Sequence, residues 1–324
     1  MEKNLTVVIR SIGERTEGLC RKLISRQISE KNIITINKTP FSAALADSYR
    51  AGIQRGLKWT LCVDADLLLR PDAIMTLLKT GNESEDNVFL IQGLILDKFF
   101  GGPRPAGNPL YRTALLHKAL ELIPQEETSL RPERDTLRRM EEKGYLKKQI
   151  PVTLGLHDFE QYYKDIYRKC FIQAHKHDYR LDFFVSYWRR LRDKDFDFQV
   201  ALTGLSAGIL AERQEARIDA RKFPASLENI TSQEIKEKSP ISKDFLINVE
   251  KVISEWREPE EYKKYFSATS YKTKKYSKKE RLSELKKQLG ILQLIIWLLG
   301  WLLYKTGLKI KNSVDRYKKS GAEE

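Results

Sequence analysis

The sequence predicts an α/β protein: a mostly parallel sheet flanked by helices, followed by a helical C-terminal region with a membrane-associating helix. Three observations predict it. Short apolar runs alternate with longer amphipathic ones over the first hundred residues, a pair of aspartates closes one of the apolar runs, and a basic tail encloses an uncharged stretch at 288–304. Strands alternating with helices in this way imply a sheet covered on both faces.

The elements follow in order. Residues 5–10 (LTVVIR) read as a first strand, and 14–28 as a helix with Leu19, Leu23, Ile24 and Ile28 on its apolar stripe. A second strand spans 32–37, and a helix over 41–56 is stopped by Gly56. Residues 58–66 (KWTLCVDAD) form a third strand, and 71–81 a helix with Pro71 in its first turn and Gly81 after its end. The apolar run 87–96 is a further strand, and the Gly/Pro-rich stretch 98–109 a loop. A helix around 111–124, a charged segment at 130–144, a short strand at 151–158 and a long amphipathic helix over 158–177 come next. Further helices lie between 181 and 217 and over 246–265. The chain divides into a catalytic-type domain (1–217), a linker and helical extension (218–270) and a basic tail (271–324).

Charge is uneven. Lys and Arg number 58 against 44 Asp and Glu, and the tail from Tyr271 holds 14 of the former against 5 of the latter. An anionic partner is implied, whether a nucleotide, a nucleic acid or an acidic lipid surface, and the basic excess belongs mostly to the tail. The 17 uncharged residues 288–304 include Trp297, Trp301 and Tyr304 and are bordered by lysines. That pattern predicts a helix lying in, or deeply embedded at, an anionic membrane face, with a full crossing or a buried core helix as the alternatives. Cys20, Cys62 and Cys170 are scattered and make neither a disulfide framework nor a zinc knuckle. Met1 leads almost directly into LTVVIR, and no secretion signal is expected. The expected location is the cytoplasmic side of a membrane, peripheral or monotopic. No aromatic–basic stacking face is present, and no nucleic acid is expected as a partner.

The chemistry centres on Asp64 and Asp66. Alternation along a strand puts residues i and i+2 on one side, so the two carboxylates emerge together at the carboxyl end of an apolar strand. Ligands bind at that edge of open α/β sheets, and a hard divalent cation neutralises such carboxylates while holding phosphate oxygens. The plain alternative is an aspartate in a turn or capping the next helix.

With VVIRSIGERT as a first strand and loop, and GLKWTLCVDADLLLRPDAI bearing the D-x-D, residues 5–100 resemble the nucleotide-sugar-binding half of GT-A fold glycosyltransferases. The resemblance implies a GT-A-like sheet, a nucleotide-sugar donor, and Mn2+ or Mg2+ held by Asp64, Asp66 and His157. Within that set Asp66 ligates directly, and Asp64 touches the ribose or a metal-bound water. His157 follows a short apolar strand and Gly155, just ahead of a helix beginning near Asp158. The 12–16 loop lines the nucleotide pocket, with Arg10 and Arg15 as candidates for base or phosphate contacts. Asp97, Lys98 and Arg104 are candidates for sugar or acceptor hydroxyls, and Arg131 lies near enough in sequence to join them. For an inverting transfer a carboxylate must take the acceptor proton, and Glu133, Asp135 and Asp158 are the candidates, in that order. His117, His175 and His177 read as structural or solvated.

The implied function is metal-dependent transfer of a sugar from a nucleotide-diphosphate donor to a glycan or lipid-linked acceptor at a membrane surface. The alternatives are a sugar nucleotidyltransferase, weakened because RSIGERTEG holds only Gly13 and Gly18, and a non-enzymatic basic protein that binds membranes or nucleic acid.

Overall fold

The computed structural model describes residues 4–125, 128–211 and 236–266, the last three of these by backbone alone. β1 (Leu5–Ser11), β2 (Ile33–Asn37) and β3 (Trp59–Asp64) are parallel with β1 central, and α1 (Glu17–Ser25) and α2 (Phe41–Arg55) make the crossovers. Gly56 ends α2 with φ +65, the left-handed conformation that glycine adopts without steric cost. Burial follows the strand period. Leu5, Val7, Ile9, Leu61 and Val63 face α1 and α3 (Ala73–Asn82), whereas Val8 and Cys62 face Leu45 and Tyr49 of α2. Both faces are covered, as a parallel sheet requires.

The remaining strands complete one mixed sheet: β4 (Leu67–Leu69), β5 (Val88–Asp97), β6 (Gly102–Pro105), β7 (Leu110–Arg112) and β8 (Leu146–His157). The order is β2-β1-β3-β7-β5-β8-β4, with β6 folded back on β5. Several boundaries differ from expectation. The three leucines after the D-x-D form a strand of their own, antiparallel to β8. The stretch read as a loop contains β6, because Arg104 and its neighbours pair back onto Leu94 to Asp97. Only α4 (Leu116–Glu121) remains of the helix expected over 111–124, its start having gone to β7. The charged segment folds as α5 (Pro132–Glu141), with proline in its first turn and Glu133 and Asp135 at its positive end. Pro71 stands ahead of α3 and Gly81 inside it.

Three helices cap the sheet's edge: α6 (Tyr163–Lys176), α7 (Leu181–Leu191) and α8 (Phe196–Leu210). Their core is aromatic, with Phe99 and Phe100 from the end of β5 set among Phe183, Phe184, Trp188 and Phe198. α6 and α8 cross closely: a Cβ at Gly204 would lie 2.4 Å from the Tyr167 carbonyl, and one at Gly208 2.2 Å from that of Phe171. α6 begins at Tyr163 rather than near Asp158, since Asp158 and Glu160 take φ of 64 and 60 and hold the chain in a turn. Residues 236–266, with α9 (Val249–Glu255) and α10 (Glu260–Phe266), strap across this assembly. Val249 is buried in the sheet's core, Trp256 donates to the Gly101 carbonyl at 3.1 Å, and Glu261 pairs with Arg190 at 2.7 Å. Among the described residues no helix is long and apolar enough to cross a membrane. The tail 271–324 and most of the expected linker, 218–235, lie outside the described residues.

Candidate active site

Register builds the site. β8 lies between β4 and β5, which puts His157 opposite Leu67 on one side and Asp97 on the other. Asp66 immediately precedes β4, and its carbonyl accepts from the Asp158 amide at 3.2 Å. Asp66, Asp97, His157 and Asp158 therefore meet at one corner of the sheet. Gly155 makes the approach possible, since a Cβ there would stand 2.5 Å from the Leu68 carbonyl. Gly107, at φ +65, closes the far side, and a Cβ on it would lie 3.6 Å from Asp64 Oδ2 and 3.8 Å from the His157 ring.

One ligand atom from each of Asp66, His157 and Asp158 lies within 4.8 Å of the other two, and all three residues are buried. His157 Nε2 faces Asp66 Oδ1 at 3.4 Å, while Nδ1 lies 2.9 Å from Asp97 Oδ2 and 3.0 Å from Asp158 Oδ2. Asp97 is itself fixed by the amides of Phe99 and Phe100, at 2.9 and 3.0 Å, and by Arg104 Nε at 2.7 Å. A carboxylate that orients a histidine from behind is the usual support of a metal ligand. Burial alone would lower the His157 pKa, but Asp158 and Asp66 outweigh it and push it up to about 10. Burial likewise opposes ionisation of Asp158, and His157 and Lys169 hold its pKa well below the usual range. Two carboxylates and an imidazole suit Mn2+ or Mg2+, and Asp66 Oδ1 is buried without a hydrogen-bond partner, so the donor set fits such an ion.

Asp64 takes a different path. The strand ends there, the Ala65 amide bonds back to the Arg10 carbonyl, and the alternation expected to carry Asp64 and Asp66 to one side stops. Arg10 Nε donates to Asp64 Oδ1 at 2.8 Å and Arg10 Nη1 to Glu133 Oε1 at 2.7 Å. Tyr111 donates to the same Glu133 oxygen at 2.7 Å. Arg10 is thus a buried clamp between two carboxylates, with Phe41 stacked 5.0 Å away and its Nη2 unpartnered. Burial raises the Glu133 pKa and Arg10 lowers it further, so the carboxylate is ionised.

The remaining sequence candidates have structural engagements. Arg15 joins two loops, donating to the Ser239 carbonyl at 2.8 Å and pairing with Glu160 at 2.8 Å. Lys98 braces the start of α8 through Asp197 at 2.5 Å and Asp195 at 2.8 Å. Asp135 accepts from the Ser129 hydroxyl at the start of α5. His177 packs against Phe100 at 5.1 Å and contacts Arg131 at 3.2 Å, a structural role. Burial, then Arg131 and Arg104, lower the pKa of the Lys176 ammonium to about 8, against Asp64 and Glu133.

Sequence reasoning missed Lys169. Its ammonium hydrogen-bonds both Asp66 and Asp158, from the middle of α6. The available signal was the helix itself: Ile166, Tyr167, Cys170, Phe171, Ile172 and Ala174 leave α6 with no wholly solvated face, and a lysine there needs an acidic partner.

No family model matches the chain, and no curated protein matches it. Solved structures do resemble it. PcManGT, a mannosyltransferase from Pyrobaculum calidifontis in complex with GDP-Man and Mn2+, is 12% identical over 64% of this chain and 74% of its own, with TM-score 0.39. S. aureus TarS 1-349 in complex with UDP-GlcNAc is 12% identical over 66% of this chain and 83% of its own, with TM-score 0.32. A glycosyltransferase involved in the glycosylation of the major capsid of PBCV-1 is 13% identical over 47% of this chain and 93% of its own, with TM-score 0.34. These likenesses fall short of a shared whole architecture, and the functional reading rests on the geometry of the site.

Proposed function

We propose that the chain is a metal-dependent glycosyltransferase that moves a sugar from a nucleotide-diphosphate donor to a glycan or lipid-linked acceptor. One observation carries the reading: Asp66, His157 and Asp158 converge at the sheet edge with Asp97 orienting the histidine. In it the triad holds Mn2+ or Mg2+, which supplies charge neutralisation for the departing diphosphate. Burial raises the Asp64 pKa and Arg10 opposes that rise while aiming the carboxylate, as an acceptor for donor hydroxyls. Arg131 and Lys176 contribute positive potential for phosphate. Of the three base candidates, Asp158 belongs to the ion site and Asp135 to a helix start. Glu133 is the carboxylate left beside Asp64 to receive the acceptor proton.

The loop after β1 argues against the nucleotidyltransferase alternative. Its Ile12 amide and Ser11 hydroxyl both donate to Glu14, each at 2.8 Å, so the protein's own carboxylate takes the donors a triphosphate would need. The basic tail with its uncharged run supports a membrane surface on the cytoplasmic side as the place of action. The test is release of nucleoside diphosphate from a panel of nucleotide sugars, with Mn2+ and with EDTA. One donor is expected to turn over with Mn2+ only, and Asp66→Asn to lower that rate by more than about 100-fold. A panel in which no donor binds overturns the reading.

A further inference from the structure

Lys169 stands where the proposed ion site should be open. Its one ammonium reaches both carboxylates of the triad, Asp66 through Oδ2 and Asp158 through Oδ1. It leaves the third demand unmet, because Asp66 Oδ1 is buried with no hydrogen-bond partner and faces His157 Nε2 at 3.4 Å. Two fixed cations already face the three carboxylates: Lys169 pairs with Asp66 and Asp158, and Arg104 with Asp97, with the His157 ring between them. A divalent ion seated among Asp66, His157 and Asp158 would meet the Lys169 ammonium that already pairs with both carboxylates, in a buried site where like-charge Coulomb energies are large. Arg104 is held by Asp97 and stacks on Phe100 at 4.3 Å, and His157 ligates only as the neutral imidazole, giving up its ring proton to do so, so Lys169 is the fixed cation that has to move. Its side chain is a flexible four-carbon stem.

We propose that Lys169 is a tethered cation that fills the divalent-ion seat and swings out when the ion binds, setting the protein's metal affinity by direct competition. The proposal rests on the assignment of Asp66, His157 and Asp158 as the seat. It makes Lys169 a positioning residue: it keeps two buried carboxylates paired and the seat shaped before loading. The rigid part is α6, whose first amides are capped from outside by Glu237, at 2.7 Å to Tyr163 N and 3.0 Å to Lys164 N.

The experiment is a Mn2+ titration of the metal-stripped full chain without nucleotide, followed by electron paramagnetic resonance, on the wild type, Lys169→Met and Asp66→Asn. Removing one competing charge at contact distance predicts Mn2+ binding at least about tenfold tighter in Lys169→Met, and loss of binding in Asp66→Asn. A second arm uses only the wild type: acetylation of Lys169 by an N-hydroxysuccinimide ester, read by peptide mass spectrometry, is expected to be slow without metal and to speed up along the Mn2+ binding curve. Equal or weaker binding by Lys169→Met overturns the proposal. So does a labelling rate that stays constant while Mn2+ binds, which also decides the matter if the methionine variant fails to fold. Nucleotide-sugar turnover separates this from the functional reading. Mn2+-dependent turnover with unchanged Lys169→Met affinity refutes only the tethered cation, whereas displacement of Lys169 without turnover of any donor refutes only the transferase.

Discussion

The sheet and its helical cap are built by different means. The sheet buries mainly aliphatic residues on the face covered by α1 and α3, and sets Asp66, His157 and Asp97 by strand register. The cap buries aromatic rings and sets Lys169 by one close helix crossing, in which Gly204 and Gly208 let α8 lie against the backbone of α6. The site lies on the seam between them. Carboxylates and the imidazole come from the sheet side, and the cation that faces them comes from the helical side.

That comparison can be broken from either side. The largest effect is expected on the sheet side: Arg10→Met strands Asp64 and Glu133 without their shared partner, and breaking a buried pair costs about 3–5 kcal/mol. Urea denaturation measures it, and a loss below about 1 kcal/mol would mean that the clamp is not structural. On the cap side, Gly204→Val drives a side chain into the Tyr167 carbonyl, an overpacking cost of about 1–3 kcal/mol or more. The same denaturation curves read it, with Lys169 acetylation expected to rise as α6 shifts.

A smaller effect joins the two regions through pH. The His157 pKa is raised from 6.5 to about 10 in the fold, so its stabilisation is complete below pH 6.5 and is lost as pH rises through 10. Asp66 and Asp158 are depressed below 3.8, so theirs is present above that pH and lost as pH falls. Metal-free protein should therefore lose stability above pH 6.5, by at most about 1.4 kcal/mol per pH unit, and His157→Gln should flatten that slope. The smallest change is Glu237→Gln, which weakens the cap of α6 by about 0.3–1 kcal/mol, measured as a lowered melting temperature.

The two regions also differ in how well the sequence announces them. β1, α2, β3 and β5 follow from local apolar periodicity, and Gly56 marks the end of α2, because these features are decided within a few residues. The α/β class and the corner at Asp66 follow with them. The meeting of Asp66 with His157 depends on β4 pairing with β8 across about ninety residues, and no local pattern encodes that register. Parity along β3 suggested that Asp64 and Asp66 share a side; β3 ends at Asp64, and the two carboxylates take different partners, Arg10 and Lys169. Lys169 was hidden for another reason: on an amphipathic helix a lysine reads as solvated until the helix is known to be buried nearly all round.

The central claim is that Asp66, His157 and Asp158 hold the ion through which a nucleotide-sugar donor is bound. Calorimetric titration of the donor that turns over, into wild type and Asp66→Asn, each with Mn2+ and with EDTA, tests it most directly. The account predicts affinity that rises at least about tenfold with Mn2+ in the wild type and does not respond to Mn2+ in Asp66→Asn. Equal affinity in Mn2+ and EDTA for the wild type, or an undiminished Mn2+ response in Asp66→Asn, would contradict it.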